Sequence, residues 1–264
     1  MRLQFSRYKP LILGIISFLI ILSLWEILVW LEWVNPFFTS SPSAIFVVFK
    51  EQIITGELFR NTYPSLFEFI VGFGLAVTVG VPLGIFSGWY KLIDYAIDPF
   101  VWFLYSSPLF GFYPIFIMIL GLGKPTVIAI TFLLTVIPIL VNTASGIKNV
   151  SPLLVQVAHS FGARRSDFFF KIALPATVPM MMAGFRLGVG RALMGVVGSE
   201  MFGATAGLGA SISYYGGLLK TANMLASLIM ITILGVLLTQ GITIVEGYFD
   251  SWRTHDIESG LENL

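Results

Sequence analysis

"SLFEFIVGFGLAVTVGVPLGIFSG", residues 65–88, carries a single charged side chain, Glu68. A helix rises about 1.5 Å per residue, so roughly 20 apolar residues cross a hydrocarbon layer about 30 Å thick. This stretch is long enough. Its small residues, Gly72, Ala76, Gly80, Gly84 and Gly88, recur every fourth position and share one helix face. In lipid such a stripe lets a second helix approach closely. The partner is either another helix of the same chain or a second copy.

The surroundings are of the same kind. The chain of 264 residues is 56% hydrophobic and 11% charged, with mean hydropathy +0.90. Soluble domains carry roughly 25% charged residues, so this is read as an all-α integral membrane protein. Six segments are predicted to span, at about 11–34, 65–87, 97–120, 126–147, 175–199 and 224–248, in one domain covering 1–264. Pro99, Pro108, Pro114 and Pro138 interrupt the third and fourth, which predicts kinked helices held by their neighbours. The first apolar run exceeds a signal-peptide core and is expected to remain as a span.

Lys and Arg set the orientation. With both termini in the cytoplasm, that side holds Arg2, Arg7, Lys9, Lys91, Lys148, Arg164, Arg165, Lys171 and Arg253, against Lys50, Arg60, Lys124 and Lys220 outside. The excess inside favours this topology.

Several chemistries are excluded or disfavoured. There is no cysteine and the net charge is +1, so thiolate metal sites and a nucleic-acid-binding field are absent. "GLGKPT" at 121–126 has Met118 and Pro125 where a phosphate loop needs Gly and Ser or Thr, and reads as a turn. His159 and His255 lie far apart and are expected to be solvated, with no metal site. What remains is intramembrane charge. Arg186 lies eleven residues beyond Pro175, about 16 Å deep; Arg191 and Glu200 lie further along, and Glu26 and Glu68 fall in the first two spans. A charge at that depth faces a partner or a watery path. Two readings stay open: a lining for a polar solute, or an interhelical ion pair, for which Glu68 is the suggested partner of Arg186.

Between the fourth and fifth spans lies a charged segment, 148–174. Ser151 and Pro152 suit the start of a helix, "LLVQVAHSF" gives it one apolar face, and Gly162 suits a left-handed exit. Arg164, Arg165 and Asp167 are expected in water, and Ser166 could cap a second turn. The segment is either an interfacial loop or a docking helix for a cytoplasmic partner.

Here the chain resembles the permeases of type I ABC importers, which carry E-A-A-x-x-x-G, nine residues, then I-x-L-P. Gln156, Val157, Ala158, Gly162, Ile172, Leu174 and Pro175 keep that spacing, with Gln156 replacing the acid and Val157 the middle alanine. "DPFVWFLYSSPLFGFYPIFIMILGLGK" and "LPATVPMMMAGFRLGVGRALMGVVGSEMFGATAGLGASI" look like the nitrate, sulfonate, taurine and bicarbonate branch. "SSPLFGFYP" departs from its usual P-x-x-A-x-x-P, and Glu68 stands where a basic residue is common.

The resemblance implies a half-channel of an inner-membrane importer working by alternating access. Its implied partners are a second permease chain forming a homodimer, two ATPase subunits that bind ATP and Mg, an external solute-binding protein, and membrane lipid. No cofactor and no catalytic residue would belong to this chain. The ATPase contact would fall on Gln156, Val157, Ala158, His159, Gly162, Ala163, Arg164 and Arg165. Pathway or gating residues would be Glu68, Arg186, Arg191 and Glu200, and the solute small and polar or anionic, or a heterocyclic vitamin precursor. A secondary transporter or channel, using Arg186, Arg191 and Glu200 as a charge relay, is the rival. An intramembrane enzyme finds no nucleophile–base pair or metal cluster to support it.

Overall fold

The computed structural model describes residues 2–34 and 38–248; Arg253 and His255 lie outside them. It holds helices α1 (Arg2–Trp30), α2 (Pro42–Ile54), α3 (Glu57–Trp89), α4 (Lys91–Ser106), α5 (Tyr113–Leu120), α6 (Lys124–Lys148), α7 (Pro152–Ser160), α8 (Arg165–Phe168), α9 (Leu174–Gly203), α10 (Leu208–Gly217) and α11 (Thr221–Tyr248). A 3-10 turn, Leu109–Phe112, precedes α5, and a π-turn, Phe169–Ala173, precedes α9. Among the described residues no strand occurs.

Five helical stretches are long and apolar enough to cross a membrane: Ile12–Trp30, Glu57–Trp89, Lys124–Lys148, Arg165–Gly203 and Thr221–Tyr248. The expected third span, 97–120, is not one helix. Lys91–Ser106 and Leu109–Leu120 meet at 90° and count as a sixth span only when taken together. Pro108 is the cause: a residue before proline is driven out of the helical region, and Ser107 is extended at φ −79°, ψ 140°. Pro138, by contrast, is accommodated inside α6.

Helix α6 is the centre, packed between α3 and α9, and glycine makes this possible on both sides. A Cβ at Gly84 would lie 2.6 Å from Thr143 Cβ, and one at Gly88 2.6 Å from Ile147 Cβ. From α9, a Cβ at Gly195 would lie 2.8 Å from Thr131 Cα. The α3 stripe therefore packs within the chain, with Ala76 fully buried. Phe69, Val127, Val189, Ala192 and Val196 form one apolar cluster of this centre; Ala76, Val136, Ile137 and Ile139 form another.

Helix α1 sits at the edge with most of its apolar side chains exposed. It is pinned to α2 by Glu26, which accepts from the Ser43 backbone N–H at 3.0 Å and from Ser43 Oγ at 2.7 Å. An acid facing the first amides of a helix is favourable, which accounts for Glu26 inside an apolar segment.

Candidate functional site

The segment 148–174 builds a small protruding unit. Ser151 occupies the N-cap of α7, but its side chain makes no capping hydrogen bond; Pro152 begins the helix. At the other end Gly162 N–H donates to His159 O at 3.0 Å and Ala163 N–H to Ala158 O at 3.0 Å. This pair of bonds is a Schellman ending, which needs a left-handed residue at the glycine position; Gly162 has φ +69°. Arg164, extended at φ −70°, ψ 157°, takes the N-cap of α8. Ser166, expected to cap this turn, lies inside it instead, because the chain resumes helical geometry at Arg165.

Ala158 is the buried residue of α7, while Gln156, Val157 and His159 are exposed. Below α7, Trp89 at the end of α3 stacks with Phe168 and Phe169, centroids 6.0 and 4.8 Å apart. The Arg165 guanidinium lies over both Trp89 and Tyr90, at 5.6 and 5.8 Å from the ring centroids. Cation–π pairs of this kind contribute about 0.5–1 kcal/mol at exposed sites. Lys171 and Asp167 form an ion pair at 2.7 Å. A cavity of ≈ 420 Å³ between α7 and Trp89 is lined by Ala158, His159, Ala163, Arg165 and Phe168 among others. The segment thus presents an exposed α7 face on a base fixed to both α3 and the start of α9.

The intramembrane charges separate into three situations. Arg186 is ion-paired with Glu246 of α11. The suggested partner, Glu68, is elsewhere: it is 1% exposed and hydrogen-bonded with Glu200. The reason is geometric, since Ser65 and Glu68, one turn apart on α3, both face the α10 end of α9. Glu200 is also 1% exposed. One of its oxygens accepts from Ser65 Oγ and the other from the Gly209 backbone N–H, each at 2.6 Å. Ser65 Oγ in turn accepts from the Leu208 N–H at 2.9 Å. Glu200 therefore holds the first turn of α10, and a Cβ at Gly207 or Gly209 would overlap it. Nearby, Tyr215 of α10 donates to Glu57; burial, then that carboxylate, push its hydroxyl up to about 12. Arg191 is exposed and makes no ion pair among the described residues.

Sequence reasoning overlooked Ser65, Glu246 and the Gly207/Gly209 pair. "GLG" directly before a helix, a few residues after a buried acid, was the available signal for the last.

The family described as "Binding-protein-dependent transport system inner membrane component" matches residues 80–255. A Methanocaldococcus jannaschii protein named as an ABC transporter permease is 34% identical over 251 residues, 93% of each chain. A Bacillus subtilis protein named as an aliphatic sulfonates transport permease is 28% identical over 240 residues, covering 91% of this chain and 87% of that one. Among solved structures, the inward-facing MetNI methionine ABC transporter superposes with a TM-score of 0.63 at 15% identity, covering 77% of this chain and 99% of that one; this speaks for the fold. Together with the helical bundle and the protruding α7 unit, these matches place the chain in a family: it belongs to the binding-protein-dependent inner membrane components, the permeases of ABC importers.

Proposed function

We propose that two copies of this chain form the translocation path of an importer, and that each α7 docks in a surface cleft of a separate ATPase subunit. The observation that carries this is the exposed α7 ended by Gly162 on a base of stacked aromatics. ATP and Mg belong to the ATPase subunits, and this chain carries out no catalysis. An external binding protein delivers a small polar or anionic solute. Both termini and α7 face the cytoplasm.

The mechanical logic follows from the connections. Closing of the ATPases draws the two α7 helices together. Phe168 and Phe169, stacked on Trp89, lead through the π-turn directly into α9. Displacement of α7 is thereby passed to α9 and the end of α3 as one body, and the path opens outward. The charge-relay reading loses support, because Arg186 is paired with Glu246 and Glu200 is occupied by α10.

Two measurements test this. Val157→Cys, in a chain without cysteine, is expected to cross-link to the ATPase when the transporter is purified whole; absence of that product in an active transporter overturns the docking surface. A cysteine at Ser166 is expected to be labelled only from the cytoplasmic side, and one at Thr205 only from outside. Labelling of both from one side overturns the orientation.

A further inference from the structure

Glu246 neutralises Arg186, and Lys148 neutralises Asp94 through contacts of 2.7 and 2.8 Å. Arg191 is left as an intramembrane cation without a carboxylate partner among the described residues. It stands near the middle of α9, where a charge needs a counter-charge or water. It lines a cavity of ≈ 250 Å³ between α4, α6 and α9 whose other polar members are Tyr105, Ser107 and Asn142. No Asp or Glu is in that lining. The 90° break after α4 opens this wall.

The hydrogen-bonding state of the lining is decisive. Ser107 Oγ donates to Phe103 O at 2.7 Å, and Asn142 Nδ2 to Pro138 O at 2.8 Å. Both side chains are thereby held against their own helices, Asn142 keeping one amide hydrogen and its carbonyl oxygen. The Arg191 fork and the Tyr105 hydroxyl have no partner among the described residues. The free capacity is thus dominated by donors, and includes the one charged donor group able to grip two oxygens at once.

We propose that this cavity is an oxyanion subsite on the translocation path, in which Arg191 pairs bidentately with a singly charged group such as a sulfonate or nitrate and Tyr105 donates to a further oxygen. The inference rests on the permease reading and names the solute class for it. The cavity is smaller than the roughly 300–1,000 Å³ of drug-sized sites, which suits one small head group. Arg186, neutralised by Glu246, has no such role.

The test uses the whole transporter, purified with its ATPases, carrying Leu187→Cys. Leu187 is exposed in the same lining and makes none of these polar contacts. Methanesulfonate or nitrate is expected to slow maleimide labelling of that cysteine about tenfold, equivalent to about 1.4 kcal/mol of occupancy, while chloride and choline leave it unchanged. Arg191→Gln in the same background is expected to abolish the protection and Arg191→Lys to keep part of it. As a second readout, methanesulfonate is expected to raise the unfolding temperature of the unlabelled wild-type transporter and not that of Arg191→Gln. No protection by either oxyanion, equal protection in Arg191→Gln, or equal protection by choline each overturns the subsite. Stimulation of ATP hydrolysis by the binding protein is followed in parallel. Its absence in wild type with protection intact removes the permease reading and leaves the anion site; its presence without protection does the reverse.

Discussion

The α10 end of the bundle and the segment 148–174 use polar groups in opposite ways. At the α10 end, Ser65, Glu200 and the amides of Leu208 and Gly209 are buried and bonded to one another. In the segment, the backbone closes on itself through the Gly162 turn, and Gln156, His159 and Arg164 point to solvent. Buried donors need their acceptors, whereas exposed ones exchange them for water. The first region is fixed architecture that orders α3, α9 and α10. The second keeps its surface free for another protein. Stability is therefore concentrated in one and coupling in the other, a contrast that substitutions can break.

The largest effect is expected at Glu200. Glu200→Ala removes the acceptor of both Ser65 Oγ and the Gly209 N–H, and each stranded buried donor costs about 1–3 kcal/mol. A loss of roughly 3 kcal/mol or more is expected, read as thermal unfolding in detergent. Gln156→Ala, on the exposed face of α7, should shift the same measurement by no more than about 0.5 kcal/mol. Equal shifts would dissolve the contrast.

Next comes the glycine contact. Gly84→Ala puts a Cβ 2.6 Å from Thr143 Cβ and 2.7 Å from Leu140 O, so α3 and α6 must separate. Overpacking of this kind costs about 1–3 kcal/mol. Gly74→Ala, on the same helix with nothing within 4 Å of its added Cβ, is the control and should leave unfolding unchanged. If both behave alike, the stripe is not where the helices meet.

These contrasts mark what was legible in the sequence. The glycine stripe, the long spans and the Gly162 turn are local patterns: a period of four, a length, a residue type that tolerates positive φ. All three were readable without tertiary contacts. The family spacing from Gln156 to Pro175 was readable for the same reason. Three features were not. The break at Ser107 depended on whether Pro108 would be absorbed as Pro138 is, and that is decided by neighbouring helices. The partner of Arg186, Glu246, is 60 residues away, and Ser65 is 135 residues from Glu200. Glu246 is the lone acid of an otherwise apolar final segment, so its position drew no attention, while Glu68 had the depth but points toward the α10 end. Which acid meets which base is set by helix rotation, and rotation by packing.

The Arg186–Glu246 pair supplies the third test. Arg186 is about half exposed and Glu246 less so, at 47% and 16%, so the 3–5 kcal/mol of a broken buried pair is reduced by screening toward about 1–2 kcal/mol. Arg186→Gln should lower stability by that amount, with rescue by Glu246→Gln in the same chain and none by Glu68→Gln. Rescue by Glu68→Gln instead would mean that α3 and α9 are rotated relative to the arrangement described.

The smallest expected change in stability carries the largest expected change in function. Gly162 holds φ +69° with open space around it, so a side chain there meets no neighbour and only the backbone objects. A β-branched residue is a genuine outlier in this region, and the left-handed conformation costs an L-residue roughly 1–2 kcal/mol. The exposed turn can relax locally by giving up its two Schellman bonds, so global unfolding should move by less than about 1 kcal/mol. The direction in which α7 leaves the chain would change, however, and with it the face offered to the ATPase. Gly162→Val is therefore expected to yield a folded permease in which binding-protein-stimulated ATP hydrolysis falls severalfold, whereas Gly162→Asn, which tolerates positive φ, keeps most of it. Loss of stability on the scale of Glu200→Ala would show that the turn belongs to the architecture. Normal coupling in Gly162→Val would show that α7 docks through no fixed geometry.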